Sequence, residues 1–174
     1  MPRLMSFAAA LIWIASTAQA GESLPKPKHV AIRGNEKTIS SNVLVARRYA
    51  AFWNTGQETF AHEALSADFM DRTLPPGRPQ GKQGPLQASK MFRAAVPDLT
   101  VEIEDIVAAE DRVAVHLRFR GHFTGVFGNT KGTGQEINFQ AFDLYRIKNG
   151  KIVENWHLED SLTLLQQIGL AEKQ

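Results

Sequence analysis

The sequence predicts a single α+β domain in which N-terminal helices cover a curved, mostly antiparallel sheet. Three observations lead to this fold class. Apolar residues recur at helical spacing between positions 40 and 95, they alternate with polar residues between 99 and 158, and Asn149-Gly150 separates the last two alternating segments. Helices followed by a run of strands are typical of α+β domains. The chain length suits one hydrophobic core.

The first twenty residues have the pattern of a secretory signal peptide. Arg3 gives a positive start, an apolar run follows, and Ala18-Gln19-Ala20 places small residues at a cleavage site. The apolar run is shorter than the roughly 20 residues that span a bilayer. We therefore expect cleavage after Ala20, a secreted or periplasmic location and no stable membrane anchor.

The segment after the expected cleavage site is polar and rich in Lys, Pro and Gly. Such a composition buries little apolar surface, so residues 21–39 are predicted to form a flexible linker. The folded domain is then expected to comprise residues 40–174.

Composition and motifs argue against several classes of partner. The net charge is only +2, without a basic stripe, so no nucleic-acid partner is expected. The chain has no cysteine, and its stability must come from packing. No histidine pair has convincing metal-ligand spacing, and phosphate-binding and dinucleotide-binding motifs are absent. We therefore predict neither a metal nor a cofactor.

Three helices are predicted in the first half of the chain. Ser40 or Ser41 would cap the first helix, which Asn54-Thr55-Gly56 ends. A short second helix is predicted around 60–69 and a third over 86–95. The segment 71–84, dense in Pro and Gly, is predicted to be a loop.

Four strands and a final helix are predicted in the second half. The strands are expected at 99–108, 113–120, 137–147 and 151–158, with a glycine-rich connection over 121–134 and a helix over 162–170. Asn149-Gly150 is a strong hairpin signal, because both central positions of such a two-residue turn require positive φ.

This turn sets a register for the last hairpin. The predicted pairs are Ile147 with Ile152, Tyr145 with Glu154, Asp143 with Trp156, Ala141 with Leu158, and Phe139 with Asp160. Side chains alternate between the two faces of a strand, so these residues would share the more apolar face, towards the helices. That face would carry three carboxylates, Asp143, Glu154 and Asp160. Either salt bridges at the rim or a functional cavity would explain them, since burying an unpaired charge costs several kcal/mol.

The chain resembles the SnoaL-like polyketide cyclases of the nuclear transport factor 2-like superfamily. The matching segments, which together cover about 43–170, are Phe52-Trp53-Asn54 with Gly56, Pro97-Asp98-Leu99, Asp111 to Val115, Gly121 to Gly125, and Asp143 to Asp160 with Leu164-Leu165-Gln166-Gln167. The resemblance implies a cone-shaped α+β barrel with a pocket at its open end. It also implies a homodimer formed through the outer sheet face, where Phe142, Leu144 and Val153 would lie.

The resemblance further implies a reaction. In characterised cyclases a pocket carboxylate on the last strands removes a proton next to a carbonyl, without metal or cofactor. Asp160, or the position after the tryptophan, is where this base is expected. That position is His157 here, where relatives often have Asp. Our hypothesis is Asp160 as the base, with Asp143 or His157 as hydrogen-bond donor or orienting group.

The expected ligand is small and apolar or polyketide-like. The residues expected to contact it are Trp156, Tyr145, Phe139 and Trp53, together with His122 near the glycine-rich mouth.

Three function classes remain open from the sequence. One is a cyclase or isomerase that abstracts a proton. Another is an exported binding protein without catalysis, which export favours because polyketide tailoring normally follows synthesis in the cytoplasm. The third is a hydrolase, since limonene epoxide hydrolases share this fold and use an Asp-Arg-Asp arrangement. Asp143 and Asp160 would supply its carboxylates, but no inward Arg is found between them. Whether the protein is an enzyme is therefore left undecided by the sequence.

Overall fold

The computed structural model describes residues 23–172, so the predicted signal peptide lies outside the described residues. The elements in chain order are β1 (His29–Arg33), α1 (Glu36–Thr55), α2 (Glu58–Ala64), β2 (Leu65–Asp71), α3 (Gln83–Ala95), β3 (Thr100–Ala109), β4 (Arg112–Phe123), β5 (Val126–Phe127), β6 (Thr130–Lys131), β7 (Gln135–Lys148), β8 (Lys151–Glu159) and α4 (Ser161–Gln167). The α+β class is confirmed.

Six strands form one curved sheet in the order β1-β3-β4-β7-β8-β2. The four central strands make the expected antiparallel meander. Both edge strands pair in parallel, β1 with β3 and β2 with β8, so the sheet is mixed. The helix α1 packs on β3, β4 and β8 across the concave face, and α3 packs on β5 with its Phe92 against Phe139 of β7. The strands β5 and β6 form a small separate hairpin within the glycine-rich connection.

The first helix is fixed at both ends by local hydrogen bonds. The Asn35 side chain accepts from the Thr38 backbone N–H, a typical N-cap, so α1 begins four residues before Ser40. Gly56 ends the helix with φ 73°, and its N–H donates to the carbonyl of Phe52. Between these caps, a face of α1 containing Tyr49 packs into the core.

The segment predicted to be a linker is held against the sheet. The Lys28 N–H donates to the carbonyl of Ile103 at 3.1 Å, and β1 follows in parallel pairing with β3. Arg47 also donates to the carbonyl of Pro25 at 2.8 Å. All five residues of β1 are exposed. The segment therefore contains a strand and the start of α1, which hydrogen bonds to β3 and Arg47 hold in place together with Ile39 in the core and Leu24 packed against it.

The prediction of a helix over 60–69 is wrong in its second half. The helix α2 ends at Ala64, and β2 follows directly, with Leu65 opposite Ile152 of β8. This strand was not predicted, because its partner lies more than eighty residues further along the chain. Its last residue, Asp71, reaches the site described below.

The last hairpin has the predicted turn but a different register. Asn149 and Gly150 have φ of 53° and 68°, and Ile147 lies opposite Ile152. The register then shifts by one residue, and the inward pairs become Tyr145 with Asn155, Asp143 with His157, and Ala141 with Glu159. The other four predicted pairs are therefore wrong.

The shift is a bulge that turns Glu154 away from the core. Because β8 carries one extra residue there, Glu154 lies opposite Arg146 on the outer face. Its carboxylate accepts hydrogen bonds from Arg146 and from Arg72, the latter at 2.9 Å from Nε. The bulge thus gives this carboxylate two cationic partners on the outer side of the hairpin.

None of the helices in residues 23–172 has both the length and the apolar character needed to cross a membrane.

Candidate functional site

A cavity of about 350 Å³ opens between the concave face of the sheet and helices α1, α3 and α4. Its walls are largely aromatic, with contributions from Tyr49, Trp53, Phe92, Phe119, Phe127 and Phe139. The rings of Phe119 and Phe139 are stacked, with centroids 4.9 Å apart. Binding sites for small molecules are typically of this kind, apolar with a few polar groups.

Asp143 is the carboxylate that faces this cavity from β7, and its side chain is almost completely enclosed. The Tyr145 hydroxyl donates to Oδ2 at 3.1 Å, and the Asn155 amide donates to Oδ1 at 3.0 Å. Burial raises the pKa of Asp143 to about 6, although the Asn155 hydrogen bond and the charge of His157 limit the rise. The carboxylate therefore titrates close to neutral pH.

His157 lies directly across the hairpin from Asp143 and is bracketed by two other carboxylates. Its Nε2 is 3.0 Å from Asp71 Oδ2, and its Nδ1 is 2.8 Å from Glu159 Oε1. Burial alone would lower the pKa of His157, but the hydrogen bonds to Glu159 and Asp71 outweigh it and raise the pKa to about 9. At neutral pH the ring is an imidazolium with both N–H groups donated, and it has no free nitrogen to act as a base.

Asp71 is fixed in place by the start of the loop that follows β2. The backbone N–H of Thr73 donates to Asp71 Oδ1 at 2.9 Å. The Thr73 hydroxyl in turn accepts from the backbone N–H of His157 at 2.9 Å. Gln80 brackets the Asp71 backbone, accepting from its N–H at 2.7 Å and donating to its carbonyl at 2.9 Å. This network sets the position of the His157 ring.

The structure places four predicted site residues at the cavity wall and one next to it. Asp143, His157, Phe139 and Trp53 line the cavity. Tyr145 is fully buried behind the wall, where its hydroxyl holds Asp143.

The other three predicted site residues lie elsewhere, two of them because of the bulge. Trp156 is on the outer face opposite Leu144, with the Arg112 guanidinium 5.9 Å from its ring centroid. Asp160 caps α4, its Oδ1 accepting from the Thr163 N–H at 3.1 Å. His122 is largely exposed and pairs with Asp98 at 2.6 Å. Asp143 and Asp160 therefore do not share the cavity, which removes the carboxylate pair on which the hydrolase alternative relied.

Asp71 and Glu159 line the cavity but were not predicted as site residues. A weak signal exists for Asp71, which follows buried Phe69 by two positions, the spacing of one strand face. Glu159 was predicted to lie on the outer face, and the bulge brings it inward.

In the described part of the chain, no group of three or more His, Asp or Glu side chains has the geometry to hold a metal ion.

Comparison with known proteins identifies the family model that the chain matches. The model of the SnoaL-like polyketide cyclases matches residues 43–168. A crystal structure of a proposed polyketide cyclase from Bacillus cereus is 40% identical, with a TM-score of 0.77, over 86% of this chain and 95% of the other. No match was found among curated proteins.

Two further solved structures from Streptomyces are similar. IdmH from Streptomyces antibioticus, a proposed polyketide cyclase, is 26% identical with a TM-score of 0.66, over 74% of this chain and 98% of the other. TsrD from Streptomyces laurentii is 20% identical with a TM-score of 0.70, over 80% of this chain and 100% of the other, and this likeness concerns the fold alone.

Proposed function

Because the chain belongs to the SnoaL-like polyketide cyclase family, we propose that it is a cofactor-free enzyme whose base is Asp143. In this proposal Asp143 removes a proton from a carbon next to a carbonyl group of a small, largely apolar substrate. The observation that carries it is the Asp143 carboxylate, which is enclosed at the wall of a largely apolar cavity and has a pKa of about 6.

The environment of Asp143 suits a general base. A base works best when its pKa lies near the operating pH, since it is then both ionised and able to hold a proton. Tyr145 and Asn155 donate to opposite oxygens of the carboxylate, which fixes its orientation. The proposal assigns the base to Asp143 rather than to Asp160, whose side chain is used as a helix cap.

His157 has a supporting role in this proposal. Its ring lies between Asp71 and Glu159, and its positive charge favours the ionised form of Asp143. It therefore keeps the base ionised at neutral pH, and it is a positioning residue that does not exchange protons with the substrate.

An isotope-exchange experiment tests the proposal. Ethyl benzoylacetate carries acidic protons between two carbonyls, and their exchange in D₂O can be followed by proton NMR. We expect exchange above the buffer rate, with a loss of about 10²–10⁴-fold in Asp143→Asn, the usual contribution of a general base. Glu154→Gln, which changes a carboxylate on the outer face, is the matched control and should retain activity within a few-fold. Equal rates in wild type and Asp143→Asn would contradict the proposal.

The second candidate function is a binding protein without catalysis. The aromatic wall, including the stacked Phe119 and Phe139, favours an apolar ring system whether or not chemistry follows. A compound copurified with the protein and identified by mass spectrometry distinguishes the two. An intact ligand that the wild-type protein never converts supports binding alone.

We propose that the protein is exported and that the signal peptide is removed. Support comes from Arg3, the apolar run and the Ala18-Gln19-Ala20 site. Expression of the full chain in a bacterium, followed by N-terminal sequencing of the periplasmic fraction, should give Gly21 as the first residue. A cytoplasmic product that starts at Met1 would contradict this.

We also propose a homodimer formed through the outer face of the sheet. That face exposes Phe142, Leu144 and Leu158, with Leu158 73% accessible, and contiguous apolar surface of this kind often marks an interface. Light scattering should give twice the chain mass for wild type and a single chain mass for Leu158→Glu. A monomeric wild-type protein would contradict the proposal.

A further inference from the structure

The hydroxyl group of Tyr49 has no acceptor in the described part of the chain. Tyr49 projects from α1 to the cavity wall, and only 2% of its surface is accessible. Its ring packs edge-on against Tyr145, with centroids 5.7 Å apart, yet no hydrogen bond among residues 23–172 uses its proton. Polar groups inside proteins normally form hydrogen bonds, and a proton at the cavity wall can form one with a bound molecule.

The neighbours of Tyr49 do not take its proton. Phe52, stacked on it at 5.9 Å, has no polar atom. The indole of Trp53, at 6.1 Å between centroids, has only an N–H donor. It can donate a hydrogen bond to the Tyr49 oxygen but cannot accept one from it. The Tyr145 hydroxyl donates to Asp143 Oδ2 at 3.1 Å, and within residues 23–172 no hydrogen bond joins Tyr49 to that hydroxyl or to Asp143. The free proton of Tyr49 is therefore available only to a molecule in the cavity.

Tyr49 keeps this proton over the working range of pH. Burial raises the pKa of Tyr49, and the negative charge of Asp143 raises it further. A phenol that stays neutral beside a carboxylate is a permanent hydrogen-bond donor. The same cavity is thus lined by Asp143, which can accept a proton, and by Tyr49, which can donate a hydrogen bond.

We propose that Tyr49 is a catalytic residue that donates a hydrogen bond to the carbonyl oxygen of the substrate while Asp143 takes the neighbouring proton. This inference rests on the proposed function and deepens it, because it supplies the group that stabilises the developing negative charge. It also defines the substrate class as carbonyl compounds whose oxygen lies towards α1 and whose acidic carbon lies towards β7.

The step balances without any further reactant. The C–H bond next to the carbonyl breaks, and its proton passes to the Asp143 carboxylate. The electron pair of that bond forms a carbon–carbon double bond, and the carbonyl π electrons move onto the oxygen that Tyr49 binds. The resulting enolate takes its proton back from Asp143, or attacks a second carbonyl whose oxygen then receives the proton. Donors placed where charge develops are among the largest contributions to such reactions.

Proton exchange of ethyl benzoylacetate distinguishes the proposed role of Tyr49 from that of its neighbour Tyr145. Tyr49→Phe should lower kcat about 10²–10³-fold, the usual cost of one oxyanion donor, with little change in KM and an unchanged acidic limb of the pH profile. Tyr145→Phe removes a hydrogen bond from the Asp143 carboxylate and should instead move that limb to higher pH. Exchange by Tyr49→Phe within twofold of wild type would overturn the inference.

A measurement without turnover tests the hydrogen bond from Tyr49 independently of proton removal by Asp143. The infrared C=O stretch of 2-acetylnaphthalene, labelled with ¹³C at the carbonyl, is recorded in the bound state. We expect a lower frequency in wild type and in Asp143→Asn than in Tyr49→Phe, because a hydrogen bond weakens the C=O bond. The same frequency in all three proteins would overturn the role of Tyr49. A shift in wild type without any proton exchange would keep the donor and reject Asp143 as a base.

Discussion

The two faces of the β7–β8 hairpin each bury a carboxylate, and their chemistry is opposite. Asp143 on the inner face is 8% exposed, and Glu154 on the outer face is 7% exposed. Burial raises the pKa of Asp143 to about 6. Hydrogen bonds from Arg146 and Arg72 lower the pKa of Glu154 to about 2. Similar surface exposure thus accompanies opposite shifts, because burial of Asp143 deep in the core outweighs its neutral donors, whereas Glu154 lies near the surface between two guanidinium groups.

The difference separates a structural role from a chemical one. A carboxylate with a lowered pKa holds its charge and its partners at every physiological pH, so Glu154 fastens β2 and its following loop to the hairpin. A carboxylate with a raised pKa gains and loses a proton near neutrality, as a general base must. The one-residue bulge decides which residue has which role. It directs Glu154 to the outer face and places Asn155 on the inner face, where its amide donates to Asp143.

The strongest contrast is expected when each carboxylate is replaced by its amide. Glu154→Gln should lower the melting temperature at pH 7, because Arg72 and Arg146 lose their common anion. Asp143→Asn should raise stability at pH 8 by about 1–3 kcal/mol, since a carboxylate with a raised pKa resists ionisation in the folded state. Thermal and urea unfolding of the two variants measure both effects. Equal destabilisation by the two substitutions would contradict the opposite pKa shifts of Asp143 and Glu154.

A smaller effect is expected from removing one neutral donor. Asn155→Leu should raise the pKa of Asp143 by about one to two units, since a hydrogen bond to a charged group contributes about 1.5–3 kcal/mol and one pKa unit corresponds to about 1.4 kcal/mol. NMR of ¹³C-labelled aspartate carboxyl groups gives the midpoint directly. Val153→Leu, on the outer side of the same strand, is the control and should leave it unchanged. An unchanged midpoint in Asn155→Leu would show that burial alone sets the shift.

A separate effect is expected in the pH dependence of stability. His157 has a folded pKa of about 9 against 6.5 in model peptides. A raised histidine pKa stabilises the fold fully below pH 6.5, and this contribution is lost as the pH rises through about 9. The free energy of unfolding should therefore fall between pH 6.5 and 9 in wild type, and less steeply in His157→Gln. Parallel curves for the two proteins would contradict the bracketing of His157 by Asp71 and Glu159.

Local patterns predicted much of the fold. The alternation along β7 correctly placed Phe139, Asp143 and Tyr145 inward, and the Asn149-Gly150 turn formed as expected, because both depend on neighbouring residues. The bulge was not predictable in this way. One of the two partners of the outward Glu154 is Arg72, which lies some eighty positions earlier in the chain.

The same distinction applies to the candidate site. Asp143 was recognised because a charged residue on an apolar strand face is unusual. Asp71 was missed because β2 gains its identity only by pairing with β8. Tyr49 was missed because an aromatic residue on an apolar helix face is usually part of the core, and only the three-dimensional structure shows that its hydroxyl has no acceptor within residues 23–172.

The role of Asp143 as a general base is best tested by measuring its own titration. Carboxyl resonances of ¹³C-aspartate are followed from pH 3 to pH 9 in wild type and in Asp143→Asn, which identifies the signal by its absence. We predict one aspartate with a midpoint of about 6 that disappears in the variant. A midpoint near the ordinary value of about 4 would show that the pKa of Asp143 is not raised and would contradict its role as the general base.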